Sequence, residues 1–490
     1  MALFILLISA VLTAGSSVSY DSGPFTIHYD ATQAPTLRIT ATVDGRPDTV
    51  VWYTSTSNRT FVTAARVEQT VQQNGGTFIF TTSVQEVCSE MTITRNGTRT
   101  STNAYNQVYF GGILCKEVEF EMLFQAQDLY NPTTPTTHLL FNLSLTNSSS
   151  FSFNQLRLTY GCEIDEQIYG FGAQYSKFNT KGERLPLFLS EQGVGRGLEP
   201  LTFVLDEVSP GAGGKWYTTY TRVPHYITSH SRSLSLDSLE YAVFDMSRDD
   251  VIVIEVQSLV LAGRIITGAS PLEIITSYTA YSGRMSPLPQ WVGEGAILGL
   301  QGGTESVLET LDLVKKEWGN MSDVVGVWLQ DWTGQRVFGE NGGRDLPRVG
   351  LWWNWEVDES HYQNWTGLIS ELASRGIKVL TYINPLLSNV SQRETPYRHN
   401  YYREALEEGF AVRNGDGTVW TGYSDSLLVD LSNPSAYQWM KNMIVNNMLA
   451  TGVCGWMCDF GETVPATGKT SQWGRSPRLP LSLPRDMGPT

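Results

Sequence analysis

The sequence predicts a β-rich amino-terminal half followed by an α/β unit built on a parallel sheet. Two observations carry this reading. From residue 21 to about residue 290, short runs alternate apolar and polar residues between turn signals. Beyond the prolines Pro287 and Pro289, short apolar strands instead alternate with helical periods. The first pattern is that of a sandwich, the second that of strands joined by crossover helices.

The elements follow in chain order. Asp44-Gly45 stands between two strand-like runs, as a hairpin turn requires. Val118, Phe120 and Met122 alternate along one strand, and Leu139, Phe141, Leu143 and Leu145 along another. "AILGLQ" (Ala296–Gln301) opens the second unit. A helix follows, with Val307, Leu311, Val314 and Trp318 on one face. "VVGVWLQDW" (Val324–Trp332) is the next strand. Trp365, Leu368, Ile369 and Leu372 mark a second helix closed by Gly376, and "IKVLTYINP" (Ile377–Pro385) is the third strand. Asn433 as N-cap and Pro434 at the first helical position start a third helix through Tyr437, Met440, Ile444 and Met448. "GWMCDFGE" (Gly455–Glu462) holds the fourth strand. No glycine-rich phosphate fingerprint follows any of these strands, which favours a barrel over a doubly wound sheet.

Composition narrows the partners. The chain has 490 residues, 41% of them apolar, and a formal charge of −15. A diffuse acidic surface argues against nucleic acid or an anionic membrane as partner. The first twenty residues are uncharged, and Leu3–Leu12 is an apolar run followed by small residues. Residues 1–20 therefore read as a secretory signal peptide, although a basic start is missing. The run is about half the ~20 residues of a membrane-spanning helix. Asn58, Asn96, Asn142, Asn147, Asn320, Asn364 and Asn389 each open a glycosylation triplet, which fits a secreted or luminal protein. Of five cysteines, Cys88 and Cys115 lie 27 residues apart in a strand-rich region and could pair in an oxidising compartment, the pairing being left open by the sequence. Cys454 and Cys458 on one extended segment are roughly 13 Å apart, too far to bridge. No histidine or cysteine cluster has metal-ligand spacing, and neither a metal nor another cofactor is expected.

Candidate chemistry sits where the parallel strands end: Gln301, Gln330-Asp331, Asn384 and Asp459. In a (β/α)₈ barrel the carboxyl ends of the strands form the active face. Alternation puts Asp459, Met457 and Gly455 on one side, and Cys454, Trp456 and Cys458 on the other. Asp459 then faces the barrel mouth and Cys458 becomes a buried structural thiol. A strand-end aspartate alone is more often structural than catalytic. Here Trp328, Trp332, Trp352, Trp353 and Trp355 crowd the same region, most of them as packing residues. Acids, amides and aromatic faces converging at a barrel mouth describe a sugar site.

At these residues the chain resembles glycoside hydrolase family 31, the retaining α-glycosidases, and within it the sulfoquinovosidase and related α-glucosidase branch. "YGFGAQYSKF" (Tyr169–Phe178), "SEQGVGRG" (Ser190–Gly197), "LGLQGGTE" (Leu298–Glu305), "VWLQDW" (Val327–Trp332), "WWNWE" (Trp352–Glu356), "TYINP" (Thr381–Pro385), "VDLSNP" (Val429–Pro434) and "GWMCDFGE" carry the resemblance, over roughly residues 24 to 462. It implies a galactose-mutarotase-like β-sandwich over 21–290 and the first half of a (β/α)₈ barrel over 291–462. It further implies Asp459 as the nucleophile that forms a glycosyl-enzyme. Gln301, Gln330 and Trp353 match sugar-recognising positions, and Asp331 a position near the substrate hydroxyls. The "SEQGVGRG" loop is similar to a sandwich loop that leans over the active site.

Two departures stand out. An arginine that the sulfoquinovosidase pattern puts three residues before Trp353 is replaced by Gly350. The nearest substitutes are Arg348 and, within the insertion "ENGGRDLP", Arg344. A guanidinium from either would suit a sulfonate; without one the site would take a neutral sugar. The second departure is the tail. Residues 463–490 hold five prolines, four basic residues and one acid, with no strand or helix period, and read as disordered. The family's acid/base lies on a later strand, so it is expected to be absent from this chain. The sequence thus reads as a truncated α-glycosidase for α-glucoside-type sugars or sulfoquinovosides, with a carbohydrate ligand. The alternative is a catalytically inactive carbohydrate-binding or regulatory fragment.

Overall fold

A computed structural model describes residues 17–461, apart from 31, 58–59, 75–76, 89–90, 101–105, 116–117, 130–135, 148–152, 209–211, 239, 320–322, 339–347, 392, 394 and 423–424. The chain divides into two compact units, the first ending at Met285 and the second beginning at Ser286. The expected boundary at 290–291 lies five residues further on. The first strand starts at Ser17, inside the stretch read as signal peptide.

The first unit is a set of antiparallel sheets. Ser17–Ser22, Phe25–Asp30, Leu37–Val43 and Arg46–Tyr53 form a four-stranded meander. Asp44 and Gly45 join its last two strands with φ of 52° and 69°. Two consecutive left-handed residues match the right-handed strand twist, which is why the Asp-Gly pair stands there. An eight-stranded sheet is centred on Val260–Thr267, Thr136–Asn147 and Val118–Leu129. A six-stranded sheet is centred on Val251–Val256 and Gln155–Gly161. One apolar core draws on all three: Ile27 and Trp52, then Phe124 and Phe141, then Leu158 and Ile254. The alternation seen in the sequence is thus the inward set of a sandwich.

Two helices interrupt the region read as all-β, Leu201–Val208 and Pro271–Ser282. The second was legible. Ser270, Pro271 and Glu273 form a helix-start signature, and Ser270 Oγ accepts the Glu273 N–H at 3.3 Å. A disulfide joins Cys88, at the end of Thr77–Cys88, to Cys115, just past Asn106–Leu114. It links the six-stranded sheet to the eight-stranded one. Cys162, Cys454 and Cys458 are free thiols.

The second unit is built on four parallel strands, Ala296–Leu300, Val324–Leu329, Lys378–Ile383 and Gly455–Cys458, in that order. Helix Gly303–Trp318 connects the first two strands and Trp365–Ser374 leads into the third. Pro434–Asn447 leads into the fourth, with Asn433 Oδ1 accepting the Ser435 N–H at 3.0 Å. Val327, Leu329, Val379 and Ile383 bury against Leu311, Leu368, Leu372, Met440 and Ile444 of the helices. The opposite face leaves Ile297 38% and Met457 49% exposed.

One expectation is corrected here. Cys458 does lie opposite Met457 in the alternation, but its thiol is exposed rather than buried. Its strand is the edge of the described sheet. The sequence also gave no sign of the antiparallel pair Gln335–Phe338 and Arg348–Leu351, nor of the short pair Leu386–Leu387 and Leu427–Leu428. Elements of two to four residues are too short to show a period.

The sandwich also encloses an ion pair. Glu166 is 1% and Arg232 8% exposed, and Arg232 Nε donates to Glu166 Oε1 at 2.8 Å. Burial pushes the Glu166 pKa up, but the hydrogen bonds and charge of Arg232 prevail and hold it near about 2, against an ordinary 4.5. A depressed carboxylate stabilises the fold above its ordinary pKa and loses that contribution as pH falls through the folded one. Glu166→Gln should therefore cost about 3–5 kcal/mol near neutrality, because it strands a buried guanidinium. Urea midpoints would measure this. The gap between wild type and variant should close as pH drops from 4.5 toward about 2.

Candidate active site

The ends of the four parallel strands supply the polar groups. Parallel register pairs Leu300 with Leu329 and Ile383 with Cys458, so the residues just beyond each pair emerge side by side. Gln301 Nε2 donates to Gln330 Oε1 at 2.8 Å. Asp459 anchors its backbone N–H on Ile383 O at 3.0 Å. Its Oδ2 accepts the Tyr382 hydroxyl proton at 2.9 Å. Asn384 Nδ2 donates in turn to the Tyr382 oxygen at 3.1 Å, and Asn384 Oδ1 accepts the Leu386 N–H at 2.8 Å. Burial raises the Tyr382 pKa, with Asn384 opposing and Asp459 adding to the rise, so the phenol remains a donor. One oxygen of Asp459 is thereby fixed by a rigid tyrosine, while the side chain as a whole stays partly exposed. A carboxylate aimed in this way suits nucleophilic attack or stabilisation of a positive centre.

Trp353 brings a second loop to the same place. Its N–H donates to Ser388 Oγ at 3.2 Å and its carbonyl accepts the Ser388 N–H at 2.8 Å. Its ring lies 5.4 Å from that of Phe460, the residue after Asp459. The indole N–H of Trp353 is buried without a protein partner. Trp328, Trp332 and Trp355 instead donate to the carbonyls of Thr381, Tyr382 and Leu386.

Asp331 occupies a different position from the one its neighbours suggest. It is 0% exposed. Its Oδ2 accepts from Gly302 N at 2.9 Å, Gln335 Nε2 at 2.9 Å and His361 Nε2 at 2.7 Å, and Oδ1 accepts from the Tyr362 hydroxyl at 2.5 Å. Burial works to raise its pKa, but these bonds, His361 first, hold it below the ordinary carboxylate value. The same bond raises the His361 pKa above 6.5. With its acceptors used by the protein, Asp331 fixes the surrounding loops and the adjacent Gln330.

Arg348 starts a strand paired with Gln335–Phe338, its backbone opposite Phe338; its side chain lies outside the described residues, as does Arg344. Another arginine, Arg336, lies on the partner strand. It stands directly across from Gly350, where the family pattern puts its arginine. Diagonal neighbours in an antiparallel pair share a face, and the Arg336 guanidinium carbon sits 4.6 Å from the centre of the Trp352 ring. Burial lowers the Arg336 pKa, with the charge of Asp425 acting the other way. Tyr382 was missed, though its place two residues before Asn384 and on the same side of the strand could have revealed it. His361 and Tyr362 carry no comparable signal, because a long loop delivers them, and Arg336 lies on a strand too short to show a period.

A parallel sheet with an acid, amides and a tryptophan at its carboxyl end matches the active face of a (β/α)₈ barrel. Residues 326–480 match the TIM-barrel domain of glycosyl hydrolases family 31. That segment relates the chain by descent to family 31. The match runs to residue 480, so the likeness expected to end at Glu462 continues into the proline-rich stretch. Over 323 residues, 65% of this chain, it is 30% identical to the sulfoquinovosidase of Escherichia coli strain K12. Over 326 residues it is 33% identical to the sulfoquinovosidase of Agrobacterium fabrum. The chain spans less than half of each relative, 45% and 46%. Among solved structures, a family 31 sulfoquinovosidase from E. rectale in complex with an aza-sugar inhibitor superposes with a TM-score of 0.71 at 25% identity. That likeness covers 95% of this chain and 62% of the other. A Flavobacterium johnsoniae dextranase, at 14% identity and TM-score 0.53 over 84% of this chain and 51% of its own, shares the fold.

The His361–Asp331 bond generates a stability prediction. A histidine whose folded pKa is raised contributes fully below its ordinary 6.5 and loses the contribution as pH rises through the folded value. His361→Ala should lower stability by about 1.5–3 kcal/mol at pH 5–6. The deficit should shrink in alkaline buffer, as read by chemical denaturation at several pH values.

Proposed function

We propose that the second unit carries the nucleophile of a retaining α-glycosidase, with Asp459 attacking the anomeric carbon to form a covalent glycosyl-enzyme. The observation that supports it most is the Tyr382–Asp459 hydrogen bond at a strand end, with Asn384 behind it and Trp353 and Phe460 beside it. The Tyr382 hydroxyl orients the carboxylate, leaving the other oxygen, Oδ1, for the sugar. Gln301 and Gln330 read hydroxyls as a paired amide set, and the spare Trp353 indole N–H donates to the substrate. Asp331 acts as a positioning residue behind Gln330. Among the described residues no second carboxylate joins this hydrogen-bonded chain, so the reading assigns them the nucleophile alone.

The substrate reading is a sulfonated α-glucoside, a sulfoquinovoside. It is supported by the names of the two bacterial relatives and by Arg336 opposite Gly350. Arg336 takes the anionic group, with Arg348 of the same strand pair as a second candidate. The compartment reading is the secretory lumen, supported by the disulfide and by the exposed Asn142, Asn364 and Asn389. A mass loss on enzymatic deglycosylation of the native protein tests it; an unchanged mass refutes it.

General acid catalysis contributes ~10²–10⁴-fold, and activated leaving groups need little of it. The chain should therefore release fluoride or nitrophenolate from activated α-glycosides and leave alkyl glycosides untouched. Mass spectrometry should find a glycosyl adduct on Asp459 that is absent from Asp459→Asn. Binding of sugar without any adduct would instead favour the non-catalytic fragment. In fluorescence titrations, Arg336→Ala should weaken a sulfonated glucoside by about tenfold or more while leaving glucose unchanged. Equal losses on both sugars would remove the sulfonate from the reading.

A further inference from the structure

The sandwich unit holds an arginine that its own protein does not satisfy. Arg222, at the start of the strand Arg222–Thr228, is 4% exposed. None of its Nε, Nη1 and Nη2 atoms has a hydrogen-bond partner. This differs from the other buried arginines of the unit: Arg232 is paired with Glu166, and Arg264 with Asp237 at 2.9 Å. Desolvating an unpaired ion costs several kcal/mol, and burying the guanidinium fork leaves up to five N–H donors unsatisfied. Burial first, then the nearby charge of Arg196, lowers the Arg222 pKa to about 9, with Tyr217 opposing. That value is still above neutrality, so the charge persists.

Arg196 makes the region more positive still. It belongs to the "SEQGVGRG" loop, and all its bonds go to neutral acceptors. They are Ser176 Oγ at 3.0 Å, the carbonyls of Gln192 at 2.5 Å and of Thr218 and Trp216 at 2.6 Å, and Thr218 Oγ1 at 3.5 Å. These bonds fold the loop onto Trp216–Thr218 but neutralise nothing. Two guanidinium charges therefore face each other's field, and no carboxylate is among the groups that act on Arg222. Water can satisfy N–H groups but cannot cancel two charges. An anion does both, and an oxyanion matches the guanidinium fork with two parallel acceptors.

We propose that the sandwich unit binds a small oxyanion, sulfate or the sulfonate, phosphate or carboxylate group of an organic ligand, on Arg222, with Arg196 supplying the second positive charge. The site is independent of the glycosidase reading, since every residue in it belongs to the first unit. The full chain tests it by thermal unfolding in sulfate against chloride at equal ionic strength. Sulfate should produce a saturable rise of about 3–6 °C in wild type. The rise should be smaller in Arg222→Lys, which keeps the charge but loses the fork, and absent from Arg222→Gln. Should Arg222→Gln not fold, hydrogen exchange on wild type decides: sulfate should slow exchange in residues 213–226. Methanesulfonate acting like sulfate would assign the site to free oxyanions. A response confined to a sulfonated glucoside would assign it to the anionic group of a sugar. No saturable rise with any of these probes, a rise retained in Arg222→Gln, or slowed exchange only elsewhere would overturn the proposal.

Discussion

Much of the second unit's geometry hangs on the buried carboxylate of Asp331. Four donors converge on it from separate parts of the chain. They are the backbone at Gly302 where the first helix starts, Gln335 of the inserted strand pair, and His361 and Tyr362 of the loop before the second helix. A buried carboxylate left without donors would be very costly, so these segments are held to it. Gln330 precedes it directly, and Trp332, which follows, donates to the carbonyl of Tyr382. The tyrosine that orients Asp459 is thus one hydrogen bond away from the same segment. The charged group that never meets solvent sets the placement of the group that does.

This division of labour marks how far the sequence could be read. The strand ends were legible because parallel strands of four to six residues with flanking helices leave a strong period, and their last polar residues follow by counting. Gln301, Gln330, Asn384 and Asp459 were found in that way, and the structure brings the glutamines together and Asn384 to Asp459 through Tyr382. The donor set of Asp331 was not legible. A strand-end aspartate looks the same in sequence whether its donors are sugar hydroxyls or His361 and Tyr362. Arg336 was hidden for a similar reason, because its relation to Gly350 is a cross-strand register spanning a 14-residue separation. The resemblance to family 31 pointed at Gly350 as a missing arginine but could not show which residue stands opposite. In the first unit, the helix Pro271–Ser282 was overlooked although its capping residues announce it, since an all-β reading had already claimed the segment.

Two arginines of the sandwich, Arg232 in the core and the half-buried Arg196, show two uses of the same side chain. Arg232 and Glu166 cancel each other inside the core, and this pair specifies how Gln155–Gly161 and the following turn meet Arg232–Leu236. Arg196 binds only carbonyls and hydroxyls and shapes a loop. A guanidinium suits both tasks because its donors are fixed in one plane and its charge is spread over three nitrogens. Lysine could replace neither without losing the planar fork.

The Cys88–Cys115 bridge has a meaning beyond fastening two sheets. It closes a 27-residue interval, and restricting that much chain removes about 3.5 kcal/mol worth of disorder from the unfolded molecule in the chain-entropy account. The benefit exists only where thiols stay oxidised. The same polypeptide therefore has two stabilities, one on each side of a redox boundary.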